Sequence, residues 1–142
     1  MFLISHRGNV SGPNPQEENK PRYIKQALNN GFQCEIDAWF LDNQWFLGHD
    51  APEHKIQEQF LFIDGLWIHA KNLSALSRLT VLDTNYFWHQ QDNYTLTSKN
   101  YIWTYPGFGL TEKSICVMPE TVPDFLITQC SGICSDFIED YK

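Results

Sequence analysis

Apolar and polar positions along the chain follow two periods in turn. Phe2 to Ser5 is a short apolar run that stops at His6-Arg7-Gly8, and Asn9 to Lys20 is rich in Asn, Gly, Pro and Ser, which predicts a strand followed by a long loop. Pro21 suits a helix first turn, and Tyr23, Ile24, Ala27 and Leu28 recur at helical spacing until Gly31 ends the pattern. Phe32 to Trp39 predicts a second strand. Asp42-Asn43 separates it from Trp45 to Leu47, a hairpin-like excursion that ends in Gly48-His49-Asp50.

A third strand is predicted over Leu66 to Lys71. After it, Leu73, Leu76, Leu79 and Leu82 form an amphipathic helix with Asn72 placed to cap it. Tyr86 to His89, Asn100 to Thr104, Ser114 to Met118 and Gly132 to Ser135 are short runs rich in aromatic or β-branched residues and read as strands. Pro106-Gly107, Pro119 and Pro123 punctuate the connections between the later ones. Strands alternating with helices over the first ninety residues predict βαβ units and a parallel sheet. A complete eight-unit barrel takes about 250 residues, so closure within 142 requires loops in place of helices in the second half. The expected fold is therefore α/β, a compact and reduced TIM-type barrel with few helices in its second half, forming a single domain over residues 1–142; a small open α/β sheet is the alternative.

Composition narrows the partners. With 42% apolar and 15% aromatic residues the chain can fill a core. Its net charge of -7 has the wrong sign for broad contact with a phosphate backbone, which argues against nucleic acid as a partner. No apolar stretch approaches the roughly 20 residues of a transmembrane helix, and no secretory h-region follows Met1. Cys34, Cys116, Cys130 and Cys134 form no metal-binding C-x-x-C pair. A cytoplasmic protein with free thiols is expected.

Glu35 and Asp37 stand two apart in a strand, so both carboxylates point to one face and repel unless a cation or a proton lies between them. On an exposed face such a pair is merely solvated; in a sheet covered on both sides it is not. His6 ends the first strand and His49 follows the second, where α/β sheets carry function. Two imidazoles there can accept and donate protons near neutral pH. Trp67, His69 and Lys71 share one face of the third strand, and Lys71 can hold a phosphoryl oxygen. His89 and Asp136 each end a candidate strand and are candidates to face the same site. The five tryptophans read as core or rim packing, and His54 as solvated.

Ser5-His6-Arg7-Gly8, Glu18-Asn19, Glu35-Ile36-Asp37 and Gly48-His49-Asp50, in this order, resemble the signature of the glycerophosphodiester phosphodiesterase family and, more distantly, phosphatidylinositol phospholipase C. The resemblance covers the first fifty residues, continues through Ile68 to Lys71 and returns at Gly132 to Phe137. It implies a phosphodiesterase barrel in which His6 and His49 are the acid/base pair and Glu35 and Asp37 bind a divalent cation (Mg²⁺, Ca²⁺ or Mn²⁺). It further implies that Arg7 and Lys71 contact the substrate phosphate, with Asn19 and Asp50 in support. The family's third metal carboxylate falls where this chain has His69, which makes His69 a candidate ligand. The implied function is metal-dependent hydrolysis of a glycerophosphodiester. The alternatives are a catalytically silent relative that binds a phosphate ester or a partner protein, and the same chemistry on lysophospholipids. The substrate head group and the oligomeric state are not set by these motifs.

Overall fold

The computed structural model describes residues 1–142. Its strands are β1 (Phe2–His6), β2 (Gln33–Leu41), β3 (Gln44–Leu47), β4 (His54–Ile56), β5 (Leu66–Ala70), β6 (Tyr86–Phe87), β7 (Tyr94–Leu96), β8 (Ile102–Thr104), β9 (Ser114–Val117) and β10 (Gly132–Ser135), with helices α1 (Pro21–Asn29) and α2 (Leu73–Leu79). Pro21 starts α1, and the Asn72 side chain caps α2 by accepting the Ala75 N–H at 3.0 Å, as the sequence pattern predicts. Short 3-10 turns over Glu58–Phe62, Pro119–Thr121 and Ile138–Tyr141 fill connections.

Seven strands run parallel in the spatial order β6-β5-β2-β1-β10-β9-β8. The β3–β4 hairpin and β7 add antiparallel edges, giving one curled, mixed, ten-stranded sheet. This corrects the expected TIM-type barrel. Only two of the connections carry an α-helix, and no ladder joins β6 to β8, so the sheet curls as a half-barrel and stays open.

The two faces of the sheet are covered differently. On the convex side, Cys34, Ile36 and Ala38 of β2 and Leu66, Ile68 and Ala70 of β5 pack against Ile24 of α1 and Ala75 and Leu79 of α2. Farther along, Cys116 and Ile133 pack under Ile138 of the C-terminal 3-10 turn, which takes the place of a helix. The concave side is filled by Ile4, Trp67, Phe87, Trp103 and Ile115, with Phe87 stacked on Trp103 at 4.5 Å between centroids. By strand alternation this concave face also carries His6, Glu35, Asp37 and His69, above the aromatic layer and at the carboxyl ends of the strands. No helix is long and apolar enough to cross a membrane.

Candidate metal centre and acid/base groups

One edge of β2 brings the scattered motifs together. It first binds β1, through Arg7 N–H to the Glu35 carbonyl at 3.0 Å, and two residues on it binds the end of β3, through Gly48 N–H to the Asp37 carbonyl at 3.1 Å. The chain leaves each contact by a turn that requires glycine. Gly8 has φ +95° and an added Cβ would stand 2.6 Å from the Tyr23 ring; at Gly48 it would meet the Ala51 carbonyl oxygen at 2.0 Å. His6-Arg7 and His49 are thereby delivered to the mouth of one cavity of about 610 Å³, lined also by Glu35, His69 and Lys71 and walled opposite by Trp88, Trp103 and Tyr105.

Glu35, Asp37 and His69 each offer a ligand atom within 4.8 Å of the others. Asp37 is registered beside His69 across the β2–β5 ladder, which places His69 Nδ1 at 3.2 Å from Asp37 Oδ1 and 3.9 Å from Glu35 Oε1. Glu35 Oε2 and Asp37 Oδ1 are buried and have no hydrogen-bond partner. Two buried carboxylate oxygens without donors, facing an imidazole nitrogen, are the environment a divalent cation relieves. The wider charge balance agrees. Glu35, Asp37, Glu18 and Asp136 meet two obligate cations, Arg7 and Lys71, which leaves two negative charges over when both histidines are neutral.

Asp37 is clamped from below. Asn19 Nδ2 donates to Asp37 Oδ2 at 2.9 Å, and Asn19 Oδ1 accepts the Asp37 N–H at 3.0 Å. Asn19 is buried and left-handed, with φ +63°, a conformation that asparagine tolerates better than most residues. Arg7 lies beside Asp37, Nε to Oδ2 at 3.1 Å, and also donates to Glu18 at 3.3 Å, while Lys71 Nζ is 3.7 Å from Asp37 Oδ1. Burial alone would raise the Asp37 carboxyl, but His69, Arg7 and Lys71 outweigh it and hold the group well below the usual carboxylate range. Glu35 moves the other way: burial, reinforced by the Asp37 charge, raises it.

His6 is oriented by a residue that follows the last strand. Its Nδ1 lies 2.8 Å from Asp136 Oδ1 while Nε2 faces Glu35 at 3.9 Å. Burial disfavours the imidazolium, yet the Asp136 hydrogen bond and the Glu35 charge prevail and raise the His6 pKa. Asp136, which burial would raise, is held low by the same hydrogen bond.

His49 sits on the rim with its side chain 43% exposed, and its Nδ1 meets Asp50 Oδ1 at 2.7 Å. Asp50 is 91% exposed and touches His49, which shares the cavity lining with His6, Arg7, Glu35, His69 and Lys71 but makes no hydrogen bond to them. Asn9 and the carbonyl of His89 are parts of the site that no residue-type pattern flags. The His89 carbonyl accepts from His69 Nε2 at 2.9 Å; Asn9 is fully buried between Asp136 and Glu18. A signal existed for Asp136, which stands directly after a strand and in phase with buried Cys134.

No family model, curated protein or solved structure matches this chain.

Proposed function

We propose that the protein is a phosphodiester hydrolase of the glycerophosphodiester type that depends on a divalent cation. The observation that supports this most is the pair of buried oxygens without hydrogen-bond partners, Glu35 Oε2 and Asp37 Oδ1, facing His69 Nδ1 at a cavity that is also lined by His6, His49, His89, Arg7 and Lys71. Glu35, Asp37 and His69 would hold the cation, which would supply positive charge toward a phosphoryl oxygen. Arg7 and Lys71, both at the cavity wall, bind the other non-bridging phosphoryl oxygen and orient the diester. His6, with Nδ1 engaged by Asp136, presents Nε2 to accept a proton from the attacking hydroxyl or water. His49, on the rim, delivers a proton to the leaving alcohol. The resemblance of the four N-terminal motifs to the phosphodiesterase family supports the same roles; the barrel that the family implies is not carried over.

The substrate is a small phosphodiester rather than a nucleic acid, in keeping with the net charge of -7. Four free cysteines, three of them buried, fit a reducing compartment such as the cytoplasm. The exposure of His49 favours one second reading, a silent relative that binds a phosphate ester without turning it over. Release of alcohol from a panel of glycerophosphodiesters and lysophospholipids, each with Mg²⁺, Ca²⁺ and Mn²⁺, tests the proposal. Cation-dependent release supports it, and tight binding of a phosphate ester with no release favours the silent relative.

A further inference from the structure

We propose that Asn9 is a positioning residue, whose side-chain amide holds the Asp136 carboxylate in place against His6. Its consequence for turnover rests on the hydrolase reading above. Asn9 lies in the loop after β1, is 0% exposed, and spends every polar atom of its side chain. Nδ2 donates one hydrogen to Asp136 Oδ1 at 2.8 Å and the other to Glu18 Oε1 at 2.9 Å. Oδ1 accepts the Asn14 N–H at 3.1 Å and the Tyr23 hydroxyl at 3.3 Å. An amide has two donors and one acceptor oxygen, and all are engaged here.

The two carboxylates held by Asn9 serve different arms of the site. Asp136 Oδ1 accepts from His6 Nδ1 at 2.8 Å as well as from Asn9, whereas Glu18 Oε2 accepts from Arg7, which stands beside Asp37. Lysine or arginine at position 9 would also bridge two carboxylates, but its charge would draw them away from His6 and Arg7. A neutral amide fixes their positions and leaves both negative charges available to the partners beyond. The backbone of Asn9 is tied to the same histidine, since its N–H donates to the His6 carbonyl at 2.9 Å. Asn9 thus sets where Asp136 stands relative to His6 without touching the cation ligands.

The test compares wild type with Asn9→Asp, which keeps the shape but sets an acceptor against two carboxylates, and Asn9→Ala, which removes the amide without adding charge. Tyr23→Phe loses only a contact to Oδ1 and serves as control. In protein labelled with ¹⁵N-histidine, the His6 Nδ1–H held by Asp136 should give a slowly exchanging, downfield proton signal in wild type and Tyr23→Phe, lost in both Asn9 variants. Turnover should fall about 10- to 100-fold in the Asn9 variants, the range for removing an outer partner that orients a functional group. Mn²⁺ affinity, read by calorimetry, should be kept, because Glu35, Asp37 and His69 are untouched. Should Asn9→Asp fail to fold, Asn9→Ala carries the comparison alone. Persistence of the proton signal in Asn9→Ala, its absence from wild type, or a loss of Mn²⁺ affinity in step with turnover overturns the assignment. A wild type that shows the signal, loses it with Asn9 and hydrolyses no phosphodiester overturns the hydrolase reading and leaves the role of Asn9 standing.

Discussion

His69 is held at both ends of its ring: Nε2 lies 2.9 Å from the His89 carbonyl oxygen and Nδ1 lies 3.2 Å from Asp37 Oδ1. A carbonyl only accepts, so Nε2 carries a proton in this contact, and Nδ1 is left as the nitrogen that faces Asp37 and that, once deprotonated, would ligate a cation between the carboxylates. The Phe87 ring stacked on His69, 5.1 Å between centroids and 13° between planes, further restricts rotation.

The metal preference follows from that nitrogen. Imidazole favours Mn²⁺, Co²⁺ or Zn²⁺ over Ca²⁺. Wild type should rank Mn²⁺ above Ca²⁺ in isothermal titration, and His69→Glu, by restoring an all-oxygen set, should move the ranking toward Mg²⁺ or Ca²⁺. The same ranking in both proteins would remove His69 from the ligand set.

Glu35 should cost the cation-free protein stability. A carboxyl raised by folding is protonated more readily in the native than in the unfolded state, so its contribution is fully present below the unfolded value near 4.3 and declines as pH rises through the folded one. Glu35→Gln removes the repulsion with Asp37 and should raise the cation-free melting temperature by about 4 °C, for a gain on the order of 1 kcal/mol. Mn²⁺ should raise the melting temperature of wild type and leave that of Glu35→Gln unchanged. A lower melting temperature for Glu35→Gln without metal would show that the carboxylate stabilises the fold.

Asp37 and Asp136 set the acid limb. Both are held low in the folded protein, so their contribution is present above the unfolded value near 3.9 and is lost as pH falls below it toward the folded values. Asp136→Asn should therefore flatten the acid limb of a plot of melting temperature against pH while changing little of the Glu35-dependent decline above it. An unchanged acid limb would mean that Asp136 gains nothing from His6.

Asn19 separates backbone strain from hydrogen bonding. Asn19→Gly accepts φ +63° freely but loses both bonds to Asp37, whereas Asn19→Ala loses the bonds and is strained as well. Cation affinity should drop about 10-fold or more in both. Only the alanine variant should lose the further ~1 kcal/mol of a left-handed non-glycine residue, measured by denaturant unfolding. Equal stabilities in the two variants would argue against strain at this position.

The proton-transfer pair is tested by His6→Ala and His49→Ala. Each should lower turnover by at least about 10²-fold on the best substrate found, with the circular dichroism spectrum unchanged. Wild-type turnover in His49→Ala would assign the leaving-group proton to another donor, consistent with the exposed position of that ring.

The local elements of this protein are written in the chain because their causes are local. Pro21 and Gly31 bracket α1, Asn72 caps α2, and alternation in β2 puts Glu35 and Asp37 on one face with Ile36 on the other. The short strands β4 and β7 are missed, and the closed barrel fails because periodicity within strands says nothing about which strands pair: β10 does pair with β1, and the ladder stays open between β6 and β8. The same division runs through the site. Motif order was enough to name His6, Glu35, Asp37, His49 and His69 as candidates, but their convergence depends on one edge of β2 binding β1 and then β3 while its other edge binds β5. Asp136 reaches His6 across a separation of 130 residues, and the His89 carbonyl is a backbone group that any residue would carry. Contacts of that kind leave no mark on residue type or spacing, since pairing between distant strands fixes them, and tertiary structure alone decided them.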